Sequence, residues 1–492
     1  MAQESQSRTR NVGRLAGGSV GIVPVLFQSV CLMGPAAAVA YSLQPSLPFS
    51  GEALPLSVLL AMVLVLCVAS SIGQLGRRYA DAGGLYAYIS RALGPRVGAL
   101  VGWLNLFFQP FFAVLLFLVM ANIVQSTLET KAHVHVPAGW IILAIAAVVY
   151  LITVAGVKAS TEVGVFLGVF ELVAFLALAI WLIVDAGSAN TIHVLDPSHS
   201  AHSGFTGVWK GSVFAVLAFV GFEGAAVLGE ESENPRRIIP RSVVLAALIV
   251  GGFLIVTSYA AVVGWGPTKL GNYATNSNPW EVLGTRAWGA GWVIIFIALV
   301  NSAAANATAG VISCSRVLYA LGKGGLLPSR IASTHAKHKT PHIAIAANVI
   351  FATLVALLAS AKWGPLTAFA VTATAFVVLV IVCYMVACVA CMVEYGTRRR
   401  EEWNAFIHAV IPLVGIVVMG FALYYTYIPL SPYPIRDALW FSPAWILLGV
   451  IVVAVAWRWR PDMVRTAQAV LSEQSSDGEP PAQPSVVSAG AG

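Results

Sequence analysis

Charge is what this sequence has least of: only 10% of its 492 residues are Asp, Glu, Lys or Arg, while 58% are hydrophobic. A soluble domain carries about 25% charged residues, so that class is excluded. Cysteine is scarce as well. All six (Cys31, Cys67, Cys314, Cys383, Cys388, Cys391) fall in apolar runs, which excludes a disulfide framework. Cys388 and Cys391 have redox-motif spacing, but a lipid-embedded helix offers no partner fold, and we read them as packing residues. The outer-loop histidines are divided between two loops, with His133 and His135 in one and His193, His199 and His202 in the next. Separate loops give no converging ligand set, so no metal is expected. The apolar segments lack a clustered His/Asp/Glu set or a nucleophile–base pair, which argues against an enzyme and against any cofactor. Nor is a cleavable leader expected. Residues 1–17 are polar, and the apolar run behind them continues without a small-residue cleavage site, as in a signal anchor.

What the chain has in abundance is long hydrophobic runs, with a mean hydropathy of +0.83. Twelve are long enough to cross a hydrocarbon core of ~30 Å as helices. They cover approximately 18–43, 54–75, 97–125, 139–156, 161–184, 209–229, 242–265, 290–320, 342–361, 366–393, 407–428 and 440–457. An even number of crossings puts both termini on one side. Of 28 Lys and Arg, only Lys131, Lys210, Lys269, Arg286, Lys362 and Arg436 fall in loops on the opposite side. Basic loops stay cytoplasmic, so both termini are expected in the cytoplasm. The net charge of +7 follows from those loops, and no nucleic-acid partner is implied.

Two runs are interrupted. The first carries Gly34-Pro35 near its middle, where proline removes a backbone donor and glycine loosens the turn. The sixth carries Gly221 and Gly224 around a carboxylate, Glu223, then the charged exit Glu230-Glu231-Ser232-Glu233-Asn234-Pro235-Arg236-Arg237. Opened backbone and an ionisable side chain survive inside a bilayer only where protein or a water-filled cavity satisfies them. Elsewhere, Asn105 and Gln109 lie four apart on one helix face as expected helix-to-helix glue. Gln74–Pro95 is expected along the membrane face, and Glu171 must turn inward. Lys158 sits at the cytoplasmic boundary of the fifth run, where snorkelling to the headgroups is the reading from position alone.

Runs one and six stand five apart. If 18–184 and 209–393 are two five-helix repeats, their odd helix number inverts the second relative to the first. That is a transporter pattern, with the solute held at the paired interruptions. Half-helix N-termini there suit a carboxylate.

Three stretches carry a more specific resemblance: Tyr79-Ala-Asp-Ala-Gly-Gly-Leu-Tyr-Ala-Tyr with Leu93-Gly-Pro and Gly102-Trp103; Phe219-Val-Gly-Phe-Glu through Glu231 to Asn234-Pro-Arg and Ile239-Pro240; and Ser315-Arg-Val-Leu-Tyr-Ala-Leu-Gly-Lys-Gly-Gly-Leu-Leu-Pro328 with Thr340-Pro341. In these the chain resembles the amino acid–polyamine–organocation transporter family over roughly residues 15–400. The resemblance implies an all-α membrane protein of twelve transmembrane helices with a LeuT-type five-plus-five inverted repeat. The ten-helix core would be 18–393, with peripheral helices in 394–457, a cytoplasmic tail 1–17 and a compositionally disordered tail 458–492. It further implies that the Lys158 ammonium stands where sodium-coupled relatives hold the ion. The chain departs from the family's Gly-Ser-Gly-type stretch at the first interruption, reading Met33-Gly-Pro-Ala-Ala-Ala38 instead.

The expected function is secondary transport of amino acids across the plasma or inner membrane by alternating access, sodium-independent and either proton-coupled or exchanging. An amine or polyamine carrier is the near alternative, and a membrane-embedded enzyme or a channel the distant ones. The substrate's carboxylate is expected on free N–H groups around the break at Gly34–Ala37, with Cys31, Met33, Gly34, Pro35, Ala36 and Ala37 as the substrate-binding positions. Its ammonium is expected on carbonyls of Phe219, Val220, Gly221 and Phe222. Glu223 and Lys158 are the expected coupling residues.

Overall fold

The computed structural model describes residues 15, 17–79, 81–202, 204–428 and 433–459, without the side chains of 157–160 and 268. The terminal tails read from the sequence lie almost entirely outside the described residues. We label twelve helices: α1 Ile22–Met33, α2 Leu54–Gly76, α3 Pro95–Thr127, α4 Ala138–Val154, α5 Val157–Ala186, α6 Phe205–Ala215, α7 Pro235–Trp265, α8 Trp292–Lys323, α9 His342–Trp363, α10 Pro365–Val393, α11 Ile411–Tyr427 and α12 Ile435–Trp459. Eleven helical segments are long and apolar enough to cross a membrane, and α4, at 17 residues, is a shorter apolar helix. The strand-like pairing among the described residues is one isolated bridge between Val20 and Ser232.

The outside of the bundle is as apolar as its inside, as a lipid environment requires. On α5 this separates two faces. Phe166, Val173 and Ile180, seven apart, are exposed, whereas Glu171, Phe175 and Leu178 are fully buried.

The two most extensive helix pairings are α2 with α7 and α3 with α8. Small residues allow both. A Cβ on Gly251 of α7 would meet the Met62 sulfur of α2 at 2.4 Å, and one on Gly310 of α8 would meet the Phe112 Cβ of α3 at 2.7 Å. Such close approach is how helices associate where lipid gives no hydrophobic drive.

The stretch expected along the membrane face is instead internal. Asp81 and helix Leu85–Leu93 are buried against α3 and α10. The reason is electrostatic: Asp81 pairs with Arg91 at 3.0 Å and accepts the Gly83 N–H at 2.7 Å, so its charge is satisfied inside the protein. Asn105 and Gln109 bond to each other and to the Val101 carbonyl, all within α3, and so do not bridge helices.

Candidate functional site

Regular α-helix stops at Met33. Gly34 adopts a left-handed conformation (φ 55°, ψ 70°), which glycine takes at little cost, and Pro35–Ala37 starts a new turn that runs into the wider turn Ala38–Ser42. The N–H groups exposed by this change are already taken. Gly34 donates back to Val30 and Cys31, and Pro35 has no donor. Ala36 donates to Glu171 Oε2 at 3.3 Å, and Ala37 to Ser302 Oγ at 3.2 Å. The expected row of free donors at Gly34–Ala37 is therefore filled from α5 and α8. Cys31 adds a bond from its Sγ to the Gly164 carbonyl at 3.1 Å, and Asn301 of α8 donates to Leu167 of α5 at 2.7 Å.

The sixth segment changes character at Ala215. Val216–Phe219 and Phe222–Leu228 are tight 3-10 turns, separated by Val220 in an extended conformation (ψ 127°) and Gly221 at φ 113°. Glu223 folds back so that its Oε2 accepts the Gly221 N–H at 3.2 Å and the Tyr384 hydroxyl at 2.5 Å. The carboxylate thus caps its own interruption and ties it to α10, while the Phe222 and Tyr384 rings lie 5.1 Å apart.

The two interruptions meet. A Cβ on Gly221 would lie 2.6 Å from the Leu32 carbonyl oxygen, and Ser29 of α1 accepts the Ala225 N–H at 2.8 Å. Cys31, Met33, Gly34, Pro35, Ala36, Ala37, Phe219, Gly221, Phe222 and Glu223 are all buried around this junction, with Val220 half-buried. Lys158 lies in the first turn of α5, but its side chain falls outside the described residues.

The sequence reading missed Ser302, Asn306 and Tyr384. Hydroxyls and amides inside apolar helices have no local signature. It also missed the pairing of two motif residues. Glu231 and Arg316 form a fully buried bidentate pair (Nε–Oε2 2.5 Å, Nη2–Oε1 3.0 Å). The Glu231 carbonyl accepts the N–H groups of Ser19 and Val20, and Glu233 donates to the Val20 carbonyl at 3.1 Å, so the entry to α1 is joined to the exit of the sixth segment. In the outer loop, His193 and His199 do converge, with Asp196, to within 4.8 Å. All three are exposed.

Comparison with known proteins decides the family. The model for amino acid permeases matches residues 9–472. The chain belongs to the amino acid permease family, whose members are transporters, not enzymes. Among permease relatives, the low-affinity putrescine importer PlaP of Escherichia coli (strain K12) is 28% identical over 312 residues, 62% of this chain and 66% of the importer. The branched-chain amino acid permease BcaP of Bacillus subtilis (strain 168) is 26% identical over 361 residues, 67% of this chain and 74% of that one. The permease AapA of the same bacterium is 23% identical over 444 residues, 84% and 89% of the two chains.

Proposed function

We propose that this permease is a secondary transporter of small ammonium-bearing solutes, amino acids or amines, working by alternating access across the plasma or inner membrane. The observation that carries the reading is the meeting of two interrupted segments in the buried interior, each braced by a carboxylate, Glu171 or Glu223. Interrupted helices at that depth are a solute-binding device, because they place unpaired or re-pairable backbone groups where lipid cannot reach.

The proposed architecture is twelve crossings with a LeuT-type inverted repeat in 18–393 and peripheral helices in 394–457. It draws support from the pairing of α2 with α7 and α3 with α8, in each case five elements apart. Both termini are cytoplasmic in this scheme, as the Lys/Arg asymmetry requires. Substrate contacts fall on Cys31, Met33 and Gly34–Ala37 on one side and on Phe219–Phe222 on the other. Glu223 relays movement of the sixth segment to α10 through Tyr384. Lys158, at the start of α5, takes the place of a coupling cation, so transport is sodium-independent and draws on protons or exchange.

The deciding experiment is uptake of a radiolabelled amino-acid and amine panel by purified protein in phospholipid vesicles, with and without a pH gradient and with sodium or potassium salts. Saturable uptake that ignores sodium is expected. Uptake of no solute on the panel rejects the transporter reading, and a sodium requirement rejects the role given to Lys158.

A further inference from the structure

A carboxylate already occupies the place where an amino acid's carboxylate would bind. Glu171 Oε2 holds the Ala36 N–H at the first interruption, and Ser302, which takes the Ala37 N–H, also neighbours the Glu171 carboxylate. The donors that a bound α-carboxylate needs are therefore spent on a side chain of the protein. Two buried acceptors remain unsatisfied there. Glu171 Oε1 is buried with no partner among the described residues, and so is Asn306 Oδ1. Ser302 and Asn306 are one turn apart on α8, and the Asn306 side chain lies against Gly34, where an added Cβ would meet its Nδ2 at 2.5 Å. Both lone acceptors thus belong to one junction.

Buried polar atoms in native proteins have partners, and the exceptions need an explanation. An unpaired carboxylate oxygen is the costliest case, because an ionised group is strongly disfavoured in a dry interior without a counter-charge. No described ion pair includes Glu171. Lys158 stands thirteen residues earlier on the same helix, its backbone about 20 Å away along the axis. The group that fits two acceptors, one of them ionisable, is a primary ammonium: three donors and a positive charge, with no acceptor of its own.

We infer that Glu171 is the ammonium-binding residue of a substrate without a carboxylate, a primary alkylamine or diamine, and that its second oxygen fills the amide an amino-acid carboxylate would otherwise claim. This rests on the transporter reading and narrows its substrate class. Amino acids are disfavoured because their carboxylate finds no free donor at Ala36 or Ala37.

The test uses the full chain in phosphatidylethanolamine–phosphatidylglycerol vesicles, with radiolabelled 1,4-diaminobutane and leucine as probes. The expected result is saturable diamine uptake that excess leucine does not compete. Glu171→Gln, nearly isosteric and able to keep the Ala36 bond through its amide oxygen, is expected to lower that uptake about tenfold or more, since a charged hydrogen bond is lost. Glu171→Asp keeps the charge but withdraws it by one methylene, so KM for the diamine should rise with little change in kcat. A wild type that carries leucine and ignores diamines overturns the inference and leaves the transporter reading standing. A wild type that moves nothing on the panel overturns both. Diamine uptake unchanged in Glu171→Gln, or, where that variant does not fold, KM unchanged in Glu171→Asp, also overturns it.

Discussion

At the scale of single residues, the two interruptions are unequally tolerant. A Cβ on Gly221 would meet the backbone oxygen and carbon of Leu32 at 2.6 and 2.7 Å, atoms that cannot move without unwinding α1. At Gly34 the obstruction is the end of the Asn306 side chain, which can rotate away. Both positions also have positive φ, which costs a side-chain-bearing residue about 1–3 kcal/mol. Gly221→Ala is therefore expected to lower the thermal midpoint in detergent more than Gly34→Ala, and the opposite ranking would show that the junction is not packed as described. Tyr384→Phe removes the hydroxyl that donates to Glu223 and should cost about 1.5–3 kcal/mol, the range for a hydrogen bond to a charged group. The same melting assay measures it. Gly34, Pro35, Gly221 and Glu223 were legible in the sequence because glycine, proline and a carboxylate are anomalies in an apolar run. Tyr384 and Ser302 were not, because a hydroxyl in a helix says nothing about which distant segment it will face. The occupation of Ala36 by Glu171 joins residues 135 positions apart and has no sequence signature at all.

At the scale of elements, the buried pair between Glu231 and Arg316 governs how α8 meets the exit of the sixth segment. Its net worth is small, since both charges were taken from water, but removing one partner strands the other. Arg316→Ala should destabilise by about 3–5 kcal/mol, whereas replacing both residues with apolar ones of similar volume should cost far less. A double-mutant cycle on thermal midpoints separates the two effects. Next to this pair, Glu230 is pushed up to about 7 by burial first and then by the charge of Asp81, against the pull of Lys323 3.7 Å away. The native state then holds its proton above the ordinary carboxylate range, while the unfolded chain releases it near 4.5. Between those values the folded form binds more protons, so stability falls as pH rises. Glu230→Gln should leave the midpoint at pH 4.5 nearly unchanged and raise it at pH 8; an equal shift at both would show that the carboxyl is not titrating there.

At the scale of the whole molecule, the spans were readable because a hydrocarbon core demands about 20 apolar residues in succession, a constraint that acts along the chain. The boundaries were less so. α3 runs Pro95–Thr127, 33 residues or about 50 Å, two residues further at each end than its hydropathy marked, with Arg96 exposed at its start. The Gln74–Pro95 segment was misplaced because its charges read as surface, whereas Asp81 and Arg91 cancel each other inside. A reporter active only in the cytoplasm, fused after Gly492, is expected to be active; a silent fusion in a protein that still inserts would overturn the proposed topology.

The Val20–Ser232 bridge and the Glu231–Arg316 pair lie at the same end of the bundle and involve consecutive residues of one strand-like exit. In the alternating-access scheme proposed above, the two contacts form a single latch on both interrupted segments, and a latch made only of protein groups closes with or without cargo. Its strength then sets a toll on the empty carrier's return stroke as well as on the loaded one. Every ~1.4 kcal/mol of latch strength changes the open-to-closed ratio at that end tenfold. A strong latch favours a carrier that swaps one solute for another, and a weak one favours net flow down a gradient.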